Sequence, residues 1–263
     1  MEMAIEKAKE VGTGWVAVGN SNHFGIAAHH AMLAIPHHMI GIAMTNASPL
    51  VSPPLSSARM LGTNPICIAV PAKKHPHLVL DMATSTAANG KLEIAQRKKK
   101  PVPTGWVVDQ HAQETTDPNA LKSGGALLPL GSDSDHGIHK GFGMGAMVDI
   151  LSAVLSGANY GPWVPPFVSF LPVLPDIPGK GLGHFFGVMR VDAFRPLEEY
   201  YKHIDHWIES FKNTKANSSK GRVILPGELE NDAYAERFEK GIPLHEDVVL
   251  DLQRISQETG IPL

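Results

Sequence analysis

Apolar runs of strand length alternate with stretches of helical periodicity, separated by polar, Gly- and Pro-bearing segments. Trp15-Val16-Ala17-Val18-Gly19 reads as a buried strand and Ile26 to Ala34 as a helix, so Asn20-Ser21-Asn22-His23-Phe24-Gly25 is a strand-to-helix turn. Upstream, Met3, Ile5 and Ala8 fall at helical spacing within Met1 to Glu10. Downstream, Met39 to Met44, Ile66 to Val70 and Leu78 to Leu80 predict strands. A helix follows Asp81-Met82-Ala83-Thr84-Ser85 and runs through Ala95, and Pro103 to Asp109 predicts a turn and short strand before a loop-like stretch to Pro129. Phe142 to Ser156 is apolar on more than one face, which predicts a central, buried helix. Gly161 to Gly183, rich in Pro and Gly, predicts a surface wrap or a subunit contact. Gly183 to Val191 predicts a strand. Leu197 to Thr214 predicts an amphipathic helix with Tyr200, Ile204, Trp207, Ile208 and Phe211 on its core face. Arg222 to Leu225 predicts a last strand, and Asp232 to Lys240 and Asp247 to Thr259 predict helices. With no internal repeat and no clear linker, residues 1–263 read as one α/β domain, a mixed β-sheet flanked by helices.

Composition narrows the function classes. Hydrophobic residues at 43% and charged residues at 19% describe an ordinary globular chain. The net charge of −3 gives no electrostatic reason to expect nucleic acid or an anionic membrane, and Arg97-Lys98-Lys99-Lys100 reads as a solvated helix end. No apolar run reaches membrane-spanning length and no secretory signal is visible, so a cytoplasmic protein is expected. The single cysteine, Cys67, lies in an apolar run and reads as a buried structural thiol.

Two stretches carry candidate chemistry. His23 stands where a strand stops and a helix starts, beside a helix N-terminus whose positive end disfavours imidazolium, so it is a candidate proton acceptor. The polar turn Thr45-Asn46-Ala47-Ser48-Pro49 ends a second strand and offers hydroxyls and N–H groups, or is simply held by its own Asn and Ser side chains. Asp81 at a strand end, with small residues after it, suits ribose hydroxyls and phosphates; capping of the following helix by Thr84 or Ser85 uses the same residues. Lys140 at the mouth of an apolar helix is a natural anion partner. The histidines at 29, 30, 37 and 38 lack acidic partners at ligand spacing, and Asp133 and Asp135 lack the distal Glu of a calcium loop, so no metal is expected. There is no G-x-G-x-x-G after a strand and no P-loop, which argues against a Rossmann fold and an NTPase.

Six segments taken in order resemble one family. Asn20 to Gly25 is similar to S-x-H-F/Y-G, and Met44-Thr45-Asn46-Ala47-Ser48-Pro49 to a T-N-x-S-P turn. Gly62-Thr63-Asn64-Pro65 matches G-T-N-P, and Asp81 to Ser85 with Gly90-Lys91 matches D-M-A-T-S…G-K. His139-Lys140-Gly141-Phe142-Gly143 matches H-K-G-[YF]-G, and Pro226-Gly227-Glu228 matches a late P-G-E. Together they resemble the type-2 malate/L-lactate dehydrogenases, a family that includes sulfolactate, ureidoglycolate and diketogulonate oxidoreductases. The resemblance implies a sulfolactate dehydrogenase-like α/β fold and hydride transfer between NAD or NADP and a small 2-hydroxy or 2-oxo acid, malate or lactate first. It implies His23 as the acid–base group and Thr45, Asn46 and Ser48 as substrate-orienting residues. For the cofactor it implies Asp81, Met82, Ala83, Thr84, Ser85, His139, Lys140, Gly141, Pro226, Gly227 and Glu228. It also implies a homodimer. Ala47 stands where relatives often carry a hydroxyl, and the family's earlier H-G-x-x-R-type segment has no counterpart in these 263 residues. A cofactor-binding chain without turnover is therefore the alternative.

Overall fold

The computed structural model describes residues 1–216 and 221–263. The chain opens with α1 (Glu2–Val11), which carries Glu2 in its first turn and Lys9 in its last and stops at Gly12 with φ 89°. Strand β1 (Thr13–Ser21) leads to α2 (Ala27–Met32), then to β2 (Met39–Thr45), β3 (Ile66–Val70) and β4 (Leu78–Met82). After α3 (Asn89–Arg97) come three short strands, β5 (Val107–Val108), β6 (Glu114–Thr115) and β7 (Ala126–Leu127). Helix α4 (Ile138–Asp149) runs on into a wider π-type turn at Ile150–Val154. Strand β8 (Leu182–Arg190) and helices α5 (Leu197–Lys212), α6 (Glu228–Lys240) and α7 (Glu246–Thr259) complete the chain.

The expected sheet flanked by helices is present. Five strands lie in the order β1-β8-β2-β3-β4, and each neighbouring pair is antiparallel. Alternation along β2, with Met39, Gly41, Ala43 and Thr45 buried, turns one face toward α1 and α2. Glycine makes this close: a Cβ on Gly41 would lie 2.0 Å from the Ala31 carbonyl oxygen of α2. On the opposite face the π-type turn lies on β8, where a Cβ on Gly183 would lie 2.0 Å from the Ser152 carbonyl oxygen. A second sheet, β6-β5-β7, packs with α3 around Leu50, Leu61, Leu92, Val107, Leu121 and Leu127.

Several elements differ from expectation. β1 is an edge strand rather than a buried one, and Trp15 remains 44% exposed. Arg222 to Leu225 forms no strand: one backbone bond, from Val79 N to the Pro226 carbonyl, joins this stretch to β4, and Pro226 has no N–H with which to extend a ladder. The segment after Ser85 stays irregular to Ala88, so α3 is shorter than the pattern suggests. α4 starts at Ile138, four residues early, and is buried on one side only; Met144, Met147, Ile150, Val154 and Leu155 face outward. On α5 the buried positions are Tyr201, Asp205 and Ile208, while Trp207 and Phe211 are exposed. Asp205 is inward because its carboxylate accepts from the backbone N–H groups of Lys73 and Lys74.

Candidate active site

Antiparallel order gathers the candidate residues at one edge of the sheet. Ser21 pairs with Leu182, Thr45 with His184, Met44 with Ile66, and Ile66 with Met82. The ends of β1, β2 and β4 and the beginnings of β3 and β8 therefore share that edge. Four of them deliver a polar turn there, at His23, Thr45 to Ser48, Asp81 to Ser85 and Thr63-Asn64-Pro65, and β8 opens there with Leu182 to His184.

His23, Thr45 and Asn46 line one small cavity of about 70 Å³ with Ala47, Thr63, Pro65 and Leu182. The His23 side chain is exposed, and the edge of its ring meets Phe167 at a centroid distance of 5.2 Å. Its Nδ1 accepts from the Gly25 N–H at 3.0 Å, which places the hydrogen of the neutral ring on Nε2. The positive end of α2 is met by Asp81: Ala28 N–H donates to its carboxylate at 2.8 Å.

The substrate candidates divide by what their atoms already do. Thr45 is buried, and its Oγ1 lies 2.7 Å from His184 Nδ1 and within bonding distance of the Asn46 and Gly183 carbonyls. Asn46 is 1% exposed, and every polar atom of its side chain is engaged. Its Nδ2 donates to Asp149 Oδ1 at 3.2 Å and to the Asn159 carbonyl at 2.7 Å, and its Oδ1 accepts from Gly183 N–H at 3.0 Å. Ser48 donates to the Pro165 carbonyl and accepts from Phe167 N–H at 2.7 Å, so it seats the ring that walls His23.

The cofactor candidates fall into three places. Asp81, Pro226 and Gly227 line a cleft of about 600 Å³ between α2, β4 and the start of α6, with Leu80, Ile224 and Leu225 supplying apolar wall. Burial raises the Asp81 carboxyl above the usual range, opposed by the Ala28 hydrogen bond. Thr84, Ser85 and Gly141 meet through the segment between them: Ser85 bridges Pro129, and Gly141 lies so close to the Leu130 carbonyl that a Cβ would come within 2.1 Å. Thr84 Oγ1 donates within the turn, to the Thr63 or Asn64 carbonyl at 3.1 Å. Met82 ends β4 opposite Ile66, and Ala83 follows it half-buried. His139 and Lys140 are exposed on the first turn of α4. Glu228 is taken up by Lys212, Arg222 and the Leu225 N–H, which hold its carboxyl below the usual range although burial pushes the other way.

Four further residues at this edge had no role assigned from the sequence, although Asn64 lies in the G-T-N-P motif. Asn64, fully buried, accepts from Ala47 N–H and donates to the Gly145 carbonyl, tying the turn after β2 to α4. Asp149 accepts from Asn46 and from Gly161 N–H at 2.8 Å, and burial raises its carboxyl. Asn159 fastens the chain at Gly179 and Gly181. His184 sits beneath Phe24, and burial, followed by the charge of His30, lowers it to about 4. A hydrophobic strand containing one His carries no local sign of such a role. Cys67, buried and near Asp81, is pushed up to about 12 and is inert as a nucleophile. No group of three or more His, Cys, Asp and Glu that could hold a metal occurs among the described residues.

The sheet edge thus gathers a histidine, buried amides and a carboxylate-lined cleft, with no Rossmann nucleotide loop among the described residues. Residues 1–253 match the malate/L-lactate dehydrogenase family, and the chain belongs to that family. It is 41% identical to a malate dehydrogenase of Pyrococcus horikoshii over 99% of this chain and 70% of that protein. It is 30% identical to a (2R)-3-sulfolactate dehydrogenase (NADP(+)) of Chromohalobacter salexigens, covering 96% of this chain and 70% of that protein. The crystal structure of malate dehydrogenase from Entamoeba histolytica superposes with a TM-score of 0.88 at 32% identity, covering 100% of this chain and 73% of that one. The chain is thus a dehydrogenase of the 2-hydroxy acid oxidoreductase type.

Proposed function

We propose that this protein transfers a hydride between NAD or NADP and a small 2-hydroxy or 2-oxo acid, with malate/oxaloacetate and lactate/pyruvate the first pairs to test. The observation that carries the reading is His23, the one titratable side chain among those lining the small cavity at the sheet edge. A nicotinamide nucleotide, when bound, supplies or accepts the hydride. The residues present fit such a group: a cleft of about 600 Å³ can take a nucleoside, and Asp81 offers a carboxylate to ribose hydroxyls. In this reading Lys140 and His139, exposed at the start of α4, take phosphate, and the second cofactor segment, Met82 to Ser85, meets that helix where Thr84 approaches Gly145.

His23 moves the proton. With Nδ1 accepting from Gly25 N–H, the neutral ring carries its hydrogen on Nε2, and in this reading that N–H is the donor to a keto oxygen. For the ring to carry a proton on each nitrogen, the Gly25 N–H must turn away from Nδ1. Gly25 has φ 84°, a left-handed conformation that favours glycine. Positioned acid–base catalysis of this kind is worth roughly 10² to 10⁴ in rate. In this reading Thr45, Asn46 and Ser48 act through the hydrogen bonds by which they hold the turn and seat Phe167 beside His23.

One observation favours cofactor binding without turnover as the second reading. None of the described residues lining the His23 cavity is Arg or Lys, so a substrate carboxylate there would lack a counter-charge, a deficit of about 2–5 kcal/mol. Oxidation of NADH and NADPH at 340 nm with oxaloacetate and pyruvate decides between them. Turnover that collapses in His23→Ala supports the dehydrogenase reading, and NADH fluorescence binding without turnover supports the second. We place the protein in the cytoplasm, where its single buried thiol is stable, and propose a homodimer, the outward apolar residues of α4 being a face that a second copy would cover. No helix among the described residues is long and apolar enough to cross a membrane.

A further inference from the structure

We infer that His184 is the positioning residue that aims His23. The inference rests on the proposed proton-transfer role of His23. His184 is 3% exposed and stands on β8 between the ends of β1 and β2. Both ring nitrogens are engaged: Nδ1 lies 2.7 Å from Thr45 Oγ1 and Nε2 lies 2.8 Å from Ser21 Oγ. A neutral imidazole needs one donor and one acceptor partner, and a hydroxyl can serve as either. The ring thus ties three strand ends at the point where the candidate residues leave the sheet.

The tie spans a defect. Along β1 the pairing with β8 is regular to Val18, which faces His184, then shifts so that Ser21 faces Leu182. Asn20 takes φ 53° within this irregularity, a conformation rare for a non-glycine residue. Within this irregularity Asn20 N–H still donates to the Lys180 carbonyl at 3.0 Å, so the backbone keeps one bond where the ladder register shifts. The Ser21–His184 bond reaches across the gap two residues before His23.

His184 also grips the residue after His23. Phe24 lies flat on its ring, with centroids 4.6 Å apart and planes 13° from parallel. Phe24 also stacks on His30 at 4.6 Å, and His30 Nε2 donates to the Phe24 carbonyl at 2.9 Å. These contacts fix Phe24 by ring and backbone. Among the described residues, His23 itself has the Gly25 N–H and the ring of Phe167 to orient it, so its aim is set by its neighbours in the chain, Ser21 before it and Phe24 after it, and both lead to His184. The titratable groups that face His184 are His30 and His23.

The test uses the full chain and two variants that split the role. His184→Phe keeps the stack and removes both hydrogen bonds, while His184→Gln keeps hydrogen-bonding atoms and removes the stack. Ser21→Ala is a third, milder variant in case either fails to fold. For each, kcat and KM for the oxo acid, NADH affinity by fluorescence and the ring ¹⁵N shifts of His23 are measured, with circular dichroism establishing the folded fraction. Loss of aim predicts a fall in kcat of about 10- to 100-fold with cofactor affinity unchanged. It also predicts that the separate His23 Nδ1 and Nε2 shifts move toward a common average as the tautomer preference is lost. Folded variants with kcat within twofold of the parent and unmoved His23 shifts would overturn the inference. So would a kcat loss that only tracks the unfolded fraction. If the parent has no turnover, the ¹⁵N shifts still decide. If His23→Ala proves as active as the parent, the acid–base reading fails by itself, whatever the His184 variants do to the His23 ring.

Discussion

Replacing Asn46 by Ala tests whether this residue builds the site or touches substrate. The side chain is 1% exposed and joins β2 to α4, to the turn at 159 and to the start of β8 through three hydrogen bonds. Deleting it strands a backbone N–H at Gly183, a carbonyl at Asn159 and one oxygen of a buried carboxyl at Asp149. Each lost net bond is worth about 1 kcal/mol, more where the partner is charged, and unpaired buried groups add to that, so the loss sums to about 3–5 kcal/mol. Against a typical total of about 5–15 kcal/mol this is a large fraction. Urea unfolding followed by circular dichroism should show a lower midpoint with an unchanged slope. Asn46→Asp should be worse than Ala near neutral pH, since it sets a carboxylate against Asp149, and should recover as acid neutralises one of the pair. Asn46→Ala within about 1 kcal/mol of the parent but with a raised KM would refute this reasoning and return Asn46 to direct substrate contact.

The same logic reaches other positions. His184 is lowered to about 4 from an ordinary 6.5, so the unfolded chain binds more protons in that window and stability must fall as pH drops through it; the loss between about pH 7 and 5 is about 2 kcal/mol, and denaturant midpoints at the two pH values should show His184→Gln relieved of it. Gly183→Ala drives a Cβ to 2.0 Å from the Ser152 carbonyl, a backbone atom, and should lower stability by about 3 kcal/mol or more in the same assay. Gly143→Ala, on α4 with nothing within 4 Å, should instead raise it by about 0.5–1 kcal/mol. Glu228 is held below its usual range, so its contribution is present at neutral pH and lost as pH falls through the folded value; Glu228→Gln should lower the melting temperature near neutral pH and approach the parent in acid.

Residue patterns alone located most of the regular elements, because periods of 2 and 3.6 are local properties of the chain. They missed where local pattern and tertiary setting disagree. Arg222 to Leu225 has the composition of a strand, but the chain there meets β4 through a single bond before Pro226. Trp207 and Phe211 look like core residues, yet Asp205 faces inward on α5 because two backbone N–H groups of the turn at 73–74 need an acceptor. The motif turns around His23 and Asp81 were legible for a related reason: a strand that ends in a small polar turn before a helix is written in consecutive residues.

The division of labour within those turns was not legible. Asn46 bonds Asp149 and Asn159, more than 100 residues away, Thr45 and Ser21 meet His184, and Asp81 caps α2 through Ala28. Such partners are chosen by strand order and register, which a linear pattern does not contain. By itself the sequence determined most of the elements, the family of turns and the histidine that lines the cavity. Only the tertiary structure decided which polar groups are used up inside the protein and which remain free for a ligand, because that depends on what packing brings within about 3 Å of each.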